Sequence, residues 1–379
     1  MLLVAMTALL AAPVGGASYS GGTGVESDPY QIANAEDWTA FTGATEDWDK
    51  HFVLTADIDF TDARLEPACG TAPFDGVLDG SGRVLRNACV LSDNTRNAGL
   101  FGIVGPQGKI RDLSLESVTI SGDAAVGGLA AVNCGAITSC HVFGRIQGGA
   151  YGRQVGGLVG CNEGGVITSC HSAGEVAGEI YCNHVGGLAG YNVGVITDSH
   201  TESDVSGGEG SLNIGGLIGC NDGGAVIASY STGDVNGGWC IGGLIGANQL
   251  GTITACYATG AVKSAYNNIG GLVGLNRDAI SACYATGSVE GIRYVGGLVG
   301  RNDDGAVTAC FWNLETSGRD KSAGGRGLLS AQMGRVLFFQ NSGWNGYPWV
   351  MREGAPPRLT WEGMEWPPIP KPKPRPGRQ

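Results

Sequence analysis

A Gly-Gly-Leu triplet returns seven times, beginning at Gly127, Gly156, Gly186, Gly215, Gly242, Gly270 and Gly296, with successive offsets of 29, 30, 29, 27, 28 and 26 residues. An asparagine stands six residues after each first glycine, at Asn133, Asn162, Asn192, Asn221, Asn248, Asn276 and Asn302. Ala98-Gly99-Leu100 is a partial copy 29 residues before the first. The intervening segments are short, β-branched and punctuated by glycine, with no 3.6-residue apolar stripe, so each row reads as two or three brief strands joined by turns. One row cannot bury its own apolar face. Stacked rows do so, because each strand pairs with its equivalent one coil away and like residues lie about 4.8 Å above one another. The pattern predicts an all-β chain: a right-handed parallel β-helix or solenoid, closed at its ends by short capping helices. Seven full rungs would extend roughly 34 Å along the axis at that spacing.

Composition excludes the main competitors. There are 68 glycines but no Gly-x-y period, which removes collagen. A net charge of -12 argues against a nucleic-acid-binding surface, which needs clustered Lys and Arg. The apolar run from Met1, ending in Gly15-Gly16-Ala17, has the h-region and small-residue cleavage site of a signal peptide, although no basic n-region precedes it. It is too short to span a bilayer, and no transmembrane segment is expected elsewhere.

The expected organisation is a signal peptide over 1–17, N-terminal capping rungs over 18–97, the repeat solenoid over 98–314, a C-terminal cap over 315–366 and a Pro-rich basic tail over 367–379. A short helix is predicted near Ala35 to Phe41. A second is predicted from Met333 to Phe339, with Ser330 as its N-cap, followed by a cap rich in tryptophan (Trp344, Trp349, Trp361). The tail should be extended polyproline II.

The Gly-Leu-x-Gly-x-Asn row resembles the GLUG motif, found in tandem in bacterial exported and surface proteins, adhesin-like proteins and the stalks of some immunoglobulin A peptidases. Leu54-Thr55-Ala56-Asp57-Ile58-Asp59 and the Thr316-Ser317-Gly318 to Leu328 segment resemble what surrounds such arrays. The resemblance implies a β-solenoid and export. It names a scaffold, not an activity.

The columns of the repeat hold the candidate chemistry. His141, His171 and His200 share a position that continues as Tyr230, Tyr257, Tyr284 and Phe311; a metal-binding ladder is conceivable there, but the column asks for a flat ring. Cys140, Cys170, Cys256, Cys283 and Cys310 share a position with Ser199 and Ser229, which favours a small reduced filler over bridging thiols. The asparagine column suits left-handed turns and amide-to-amide hydrogen bonds between rungs. Glu175, Asp204 and Asp234 form a line of carboxylates between Arg145 and Ala261; it reads as a solvated turn or as a stripe for Ca²⁺ or sugar. No His-Glu-x-x-His and no Cys-x-x-Cys occurs, which removes the simplest zinc-peptidase and redox readings.

The expected role is a noncatalytic, secreted or cell-surface scaffold for adhesion or carbohydrate contact, its partners being extracellular carbohydrate or a host or cell-surface protein. It uses no cofactor, unless Ca²⁺ joins the acid stripe. The alternative is a carbohydrate-active β-helix enzyme, a polysaccharide lyase or glycosidase, which would need acids facing each other across a groove.

Overall fold

The computed structural model describes residues 18–61, 63–70, 72–92 and 97–363; the apolar run 1–17 and the tail 367–379 lie outside the described residues. The chain is a β-solenoid of parallel stacked rungs with a few short helices. A representative rung has four strands, Gln154–Gly156, Val159–Asn162, Val166–Thr168 and His171–Gly178. Each pairs in parallel with its equivalent one rung on: Val155 with Val185, Asn162 with Asn192, Ile167 with Ile196, His171 with His200. The strands before the Gly-Gly corner build a 7-stranded sheet and those after it an 8-stranded sheet, while the remaining faces belong to a 25-stranded sheet.

The repeat fixes this geometry through volume. The anchor leucines, from Leu129 to Leu298, are wholly buried, and each contributes roughly 1.5–3 kcal/mol of transfer free energy. The glycines beside them answer to a close approach. A Cβ on Gly156 would lie 2.0 Å from the Val159 carbonyl oxygen, and one on Gly157 would lie 2.0 Å from that of Gly187 on the next rung. The coil turns too tightly there for any side chain.

The N-terminal rungs enter the same sheet, Tyr30 over Phe52, His51 over Val77 and Val77 over Lys109. The helix Ala35–Gly43 sits on this end; Asn34 caps it by accepting from the Asp37 amide at 2.9 Å. Trp38 and Phe41 plug the open core against Phe52, Phe74 and Phe101.

At the other end residues 314–328 fold over the last rung. Arg326–Leu328 pairs with Phe311–Asn313, and the Ser322 hydroxyl accepts from the Val299 amide at 2.9 Å. Beyond this the structure departs from expectation in two ways. The predicted single helix is two, Ser330–Met333 and Val336–Gln340, and Ser330 is not the cap: its hydroxyl accepts from Asn313 Nδ2 at 3.0 Å. The tryptophans do not cover the end of the column either. They run back along its flank as a strap, because the ring column offers them an apolar surface as long as the stack.

Candidate functional site

Three ladders occupy the columns picked out by the repeat. The asparagines form a buried chain in which each Nδ2 donates to the Oδ1 of the next, from Asn133 to Asn302, at 2.8–2.9 Å. These residues are not in the left-handed region. One row of left-handed corners falls instead directly before the Cys/Ser column, at Ser139, Ser169, Asp198, Ala228, Ala255, Ala282 and Ala309, and a second two residues before the anchors, at His184, Asn213, Cys240, Asn268 and Tyr294.

That column holds the strained corners in place. Each thiol or hydroxyl donates to the carbonyl two residues back, as Cys170 does to Thr168 and Ser199 to Thr197, spanning the left-handed residue between. It also accepts from the backbone amide of the neighbouring rung, as Ser199 Oγ does from Cys170 at 3.1 Å and Cys310 Sγ from Cys283 at 3.4 Å. Serine and cysteine interchange because both offer one donor and one acceptor. All of these cysteines are free, and burial pushes the thiols of Cys140 and Cys283 well above their ordinary range, which leaves them poor nucleophiles.

The ring column is stacked from His171 to Tyr284, whereas His141 meets His171 edge-on at 6.1 Å and 66°. His171 and His200 lie 4.1 Å apart at 10°, His200 and Tyr230 4.7 Å at 22°, and Tyr257 and Tyr284 4.9 Å at 4°. The strap covers its tyrosine end: Tyr257 OH donates to Glu362 Oε2 at 3.0 Å, Tyr284 OH to the Pro357 carbonyl at 2.7 Å, and Trp361 Nε1 to the Ala228 carbonyl at 3.0 Å. Burial holds the His141 and His171 imidazoles below their usual range and lowers His200 to about 3, so these rings are neutral at physiological pH.

The three carboxylates do share one line in register: Arg145 over Glu175, Glu175 over Asp204, and Asp204 one rung from Asp234. Glu175 faces the Arg145 guanidinium at 3.7 Å. Asp204 Oδ1 accepts from the Asp234 amide at 3.0 Å, and Asp234 Oδ1 from the Ala261 amide at 2.8 Å. All three are exposed. Two hollows of about 450 and 640 Å³ lie along the strap, lined by Arg352, Arg358 and Glu362 and by Arg326, Arg335 and Glu353; neither is lined by an acid of the line.

One feature of the surface was not read from the sequence. The corners leading into five of the seven Gly-Gly anchors carry exposed apolar side chains: Tyr151, Tyr181, Leu212, Trp239, Ile292 and Tyr294. Tyr151 stacks on Tyr181 at 5.4 Å and 13°, Leu212 is in register with Trp239, and Trp239 packs on Tyr266 at 5.1 Å. The guanidinium of Arg293 lies 4.7 Å from the Tyr294 ring centre. The signal was present, as large side chains two to five residues before six of the seven anchors, but no single residue type repeats there.

A family model described as the GLUG motif matches residues 151–177, 237–263 and 265–290. Halomucin of Haloquadratum walsbyi is 32% identical over 150 residues, covering 37% of this chain and 2% of that protein. A candidate Gly-rich membrane protein of Evansella cellulosilytica is 32% identical over 138 residues, covering 33% of this chain and 15% of that protein. The chain therefore spans a small part of the curated relatives it matches. The crystal structure of a candidate immunoglobulin A1 protease from Bacteroides ovatus is 20% identical and superposes with a TM-score of 0.54 over 90% of this chain and 95% of that one. At that identity the likeness is one of fold. No helix among the described residues is long and apolar enough to cross a membrane.

Proposed function

We propose that this chain, a GLUG-repeat β-solenoid, is a noncatalytic surface scaffold that holds an extended carbohydrate along its aromatic corner. The observation that supports the reading is the stripe from Tyr151 to Tyr294. Tyr151 is 69% exposed, and its ring stacks on that of Tyr181 in the open, 5.4 Å apart. Apolar rings paired across neighbouring rungs at the surface, Tyr151 with Tyr181 and Trp239 with Tyr266, support a contact region. Flat rings offer the C–H faces of sugars a stacking surface at little entropic cost. The rungs advance about 4.8 Å each, comparable to the length of one pyranose unit, so successive rings would meet successive sugars. The acid line begins six residues before Tyr181 in the same rung, and its exposed carboxylates would accept from sugar hydroxyls, directly or through Ca²⁺. Location on or outside the cell belongs to the same reading, since a glycan-binding stripe is of use where glycans are displayed.

The test is retention on a panel of soluble and insoluble polysaccharides, with and without Ca²⁺. Wild type should bind one class, and Tyr151→Ala/Tyr181→Ala and Trp239→Ala should each weaken it about tenfold, one stacking contact being worth roughly 1 kcal/mol or more. Release of new sugar ends by wild type, abolished in Asp204→Ala, would replace the scaffold with the enzyme.

A further inference from the structure

We infer that His171, His200 and Glu202 form a site for a divalent transition metal of the Zn²⁺ type, on the flank of the solenoid where the strap ends. A ring nitrogen of each histidine and a carboxylate oxygen of Glu202 lie within 4.8 Å of one another. The two histidines are register partners on adjacent rungs, both more than nine-tenths buried. His171 Nε2 and His200 Nδ1 are buried with no hydrogen-bond partner among the described residues. A buried ring nitrogen left without a partner is costly in a folded interior, and each of the two stacked rings carries one.

The rest of the ring column shows how unusual this is. Tyr257 and Tyr284 send their hydroxyls to Glu362 and Pro357 of the strap. Trp361 reaches only as far as His200, 5.5 Å between ring centres. The two histidine nitrogens lack such partners, and an acid stands next to them. Its column reads Glu116, Phe143, Ala173, Glu202, Thr232, Thr259 and Thr286; Glu116 is paired with Arg86, so the carboxylate without an ion-pair partner among the described residues falls on a histidine rung and threonine on the tyrosine rungs.

The donor set selects the ion. Two imidazoles and a carboxylate suit Zn²⁺ and its neighbours in the transition series, whereas Ca²⁺ takes oxygen alone. Bonds of about 2.0–2.2 Å require the three donor atoms to draw closer than 4.8 Å, and one of the two rings, stacked 4.1 Å apart at 10°, to turn so that both in-plane lone pairs meet at the ion. Glu202 is exposed and free to rotate inward. Three protein ligands leave a fourth position for water or a ligand on a partner. This site stands apart from the aromatic corner, and its test reads metal rather than glycan.

The experiment is calorimetric titration of the chelator-stripped full chain with Zn²⁺, paired with the visible spectrum of the Co²⁺-loaded protein. The variants are His171→Tyr, His200→Tyr and Glu202→Thr, each the residue its column uses elsewhere and so compatible with the stack. Wild type should take up one equivalent with a four-coordinate Co²⁺ spectrum, and its thermal midpoint should rise with Zn²⁺ but not with Ca²⁺. Each variant, folded by circular dichroism, should bind about tenfold more weakly or worse, the two histidine variants most. No saturable uptake by wild type, or uptake of equal affinity in His171→Tyr and His200→Tyr, as the twelve cysteines would give, overturns the site.

Discussion

Trp361 lies 5.4 Å from Tyr230 at 18°, nearly parallel to a ring 131 residues earlier in the chain, and its indole N–H is bonded to the Ala228 carbonyl. With the Tyr257 hydroxyl bonded to Glu362, this ring pins the far end of the strap, whose own sheet among the described residues is the antiparallel pair Trp349–Val350 with Arg358–Leu359. Trp361→Ala removes a buried ring and leaves the carbonyl unpaired, a loss of about 3 kcal/mol by comparison with other aromatic truncations. The loss should be local, because repeat stacks carry their stability between neighbours. Limited proteolysis should cut the variant between residues 329 and 363 before the solenoid, while wild type resists at both. Equal resistance would mean that the strap is held elsewhere.

Asn192 is both donor and acceptor in the amide ladder: it accepts from Asn162 and donates to Asn221, each at 2.8 Å, in a wholly buried position. Asn192→Ala strands a buried donor and acceptor and should cost about 2–4 kcal/mol in urea unfolding. Asn192→Asp keeps the shape but sets a carboxylate against Asn221 Oδ1, so it should be at least as damaging. A tolerated aspartate would show that shape, and not the hydrogen-bond chain, selects this residue.

The columns were legible because a parallel stack places equal sequence offsets above one another: Asn162 over Asn192 and His171 over His200 are facts of register. The strap was not, because Trp344, Trp349 and Trp361 have no repeat partner, and their targets lie on a face created only by stacking. The aromatic corner was hidden differently. Tyr181, Leu212 and Trp239 occupy a turn whose length varies by up to three residues between rungs, so equivalence there follows from coordinates rather than counting. Glu202 escaped notice for a third reason, since its meaning depends on the two histidines beside it.

Cys283 shows what the thiol column is for. Its Sγ accepts from the Cys256 amide at 3.3 Å and donates to the Ser281 carbonyl at 3.0 Å, the role that Ser199 and Ser229 fill with hydroxyls. Cys283→Ser should therefore change stability by about 1 kcal/mol or less, whereas Cys283→Val, of similar size but without polar atoms, leaves the Cys256 amide unsatisfied at about 2 kcal/mol, the Ser281 carbonyl keeping its bond from the Ala255 amide. Denaturation midpoints rank the two. Serine proving worse than valine would reassign the column to packing alone.

Acid should weaken the fold through His184. Its ring is lowered to about 4, chiefly by burial, with Asp222 opposing the shift. Asn213 Nδ2 lies 3.1 Å from its Nδ1, and Tyr191, whose hydroxyl holds Asp222 at 2.6 Å, packs 5.4 Å away. In the unfolded chain the imidazole titrates near 6.5, so below that pH the unfolded state binds a proton that the folded state refuses. Stability present above pH 6.5 is then lost as pH falls toward 4, by up to about 2 kcal/mol at pH 5 from this one group. His184→Asn takes the residue found at Asn213 and Asn268, both of which hold the left-handed backbone that His184 adopts. The variant should therefore fold and lose less between pH 7 and pH 5 than wild type. Carboxylates contribute the same background to both proteins, so the difference between their urea midpoints isolates the imidazole, and identical losses would show that His184 stays accessible to protons in the folded state.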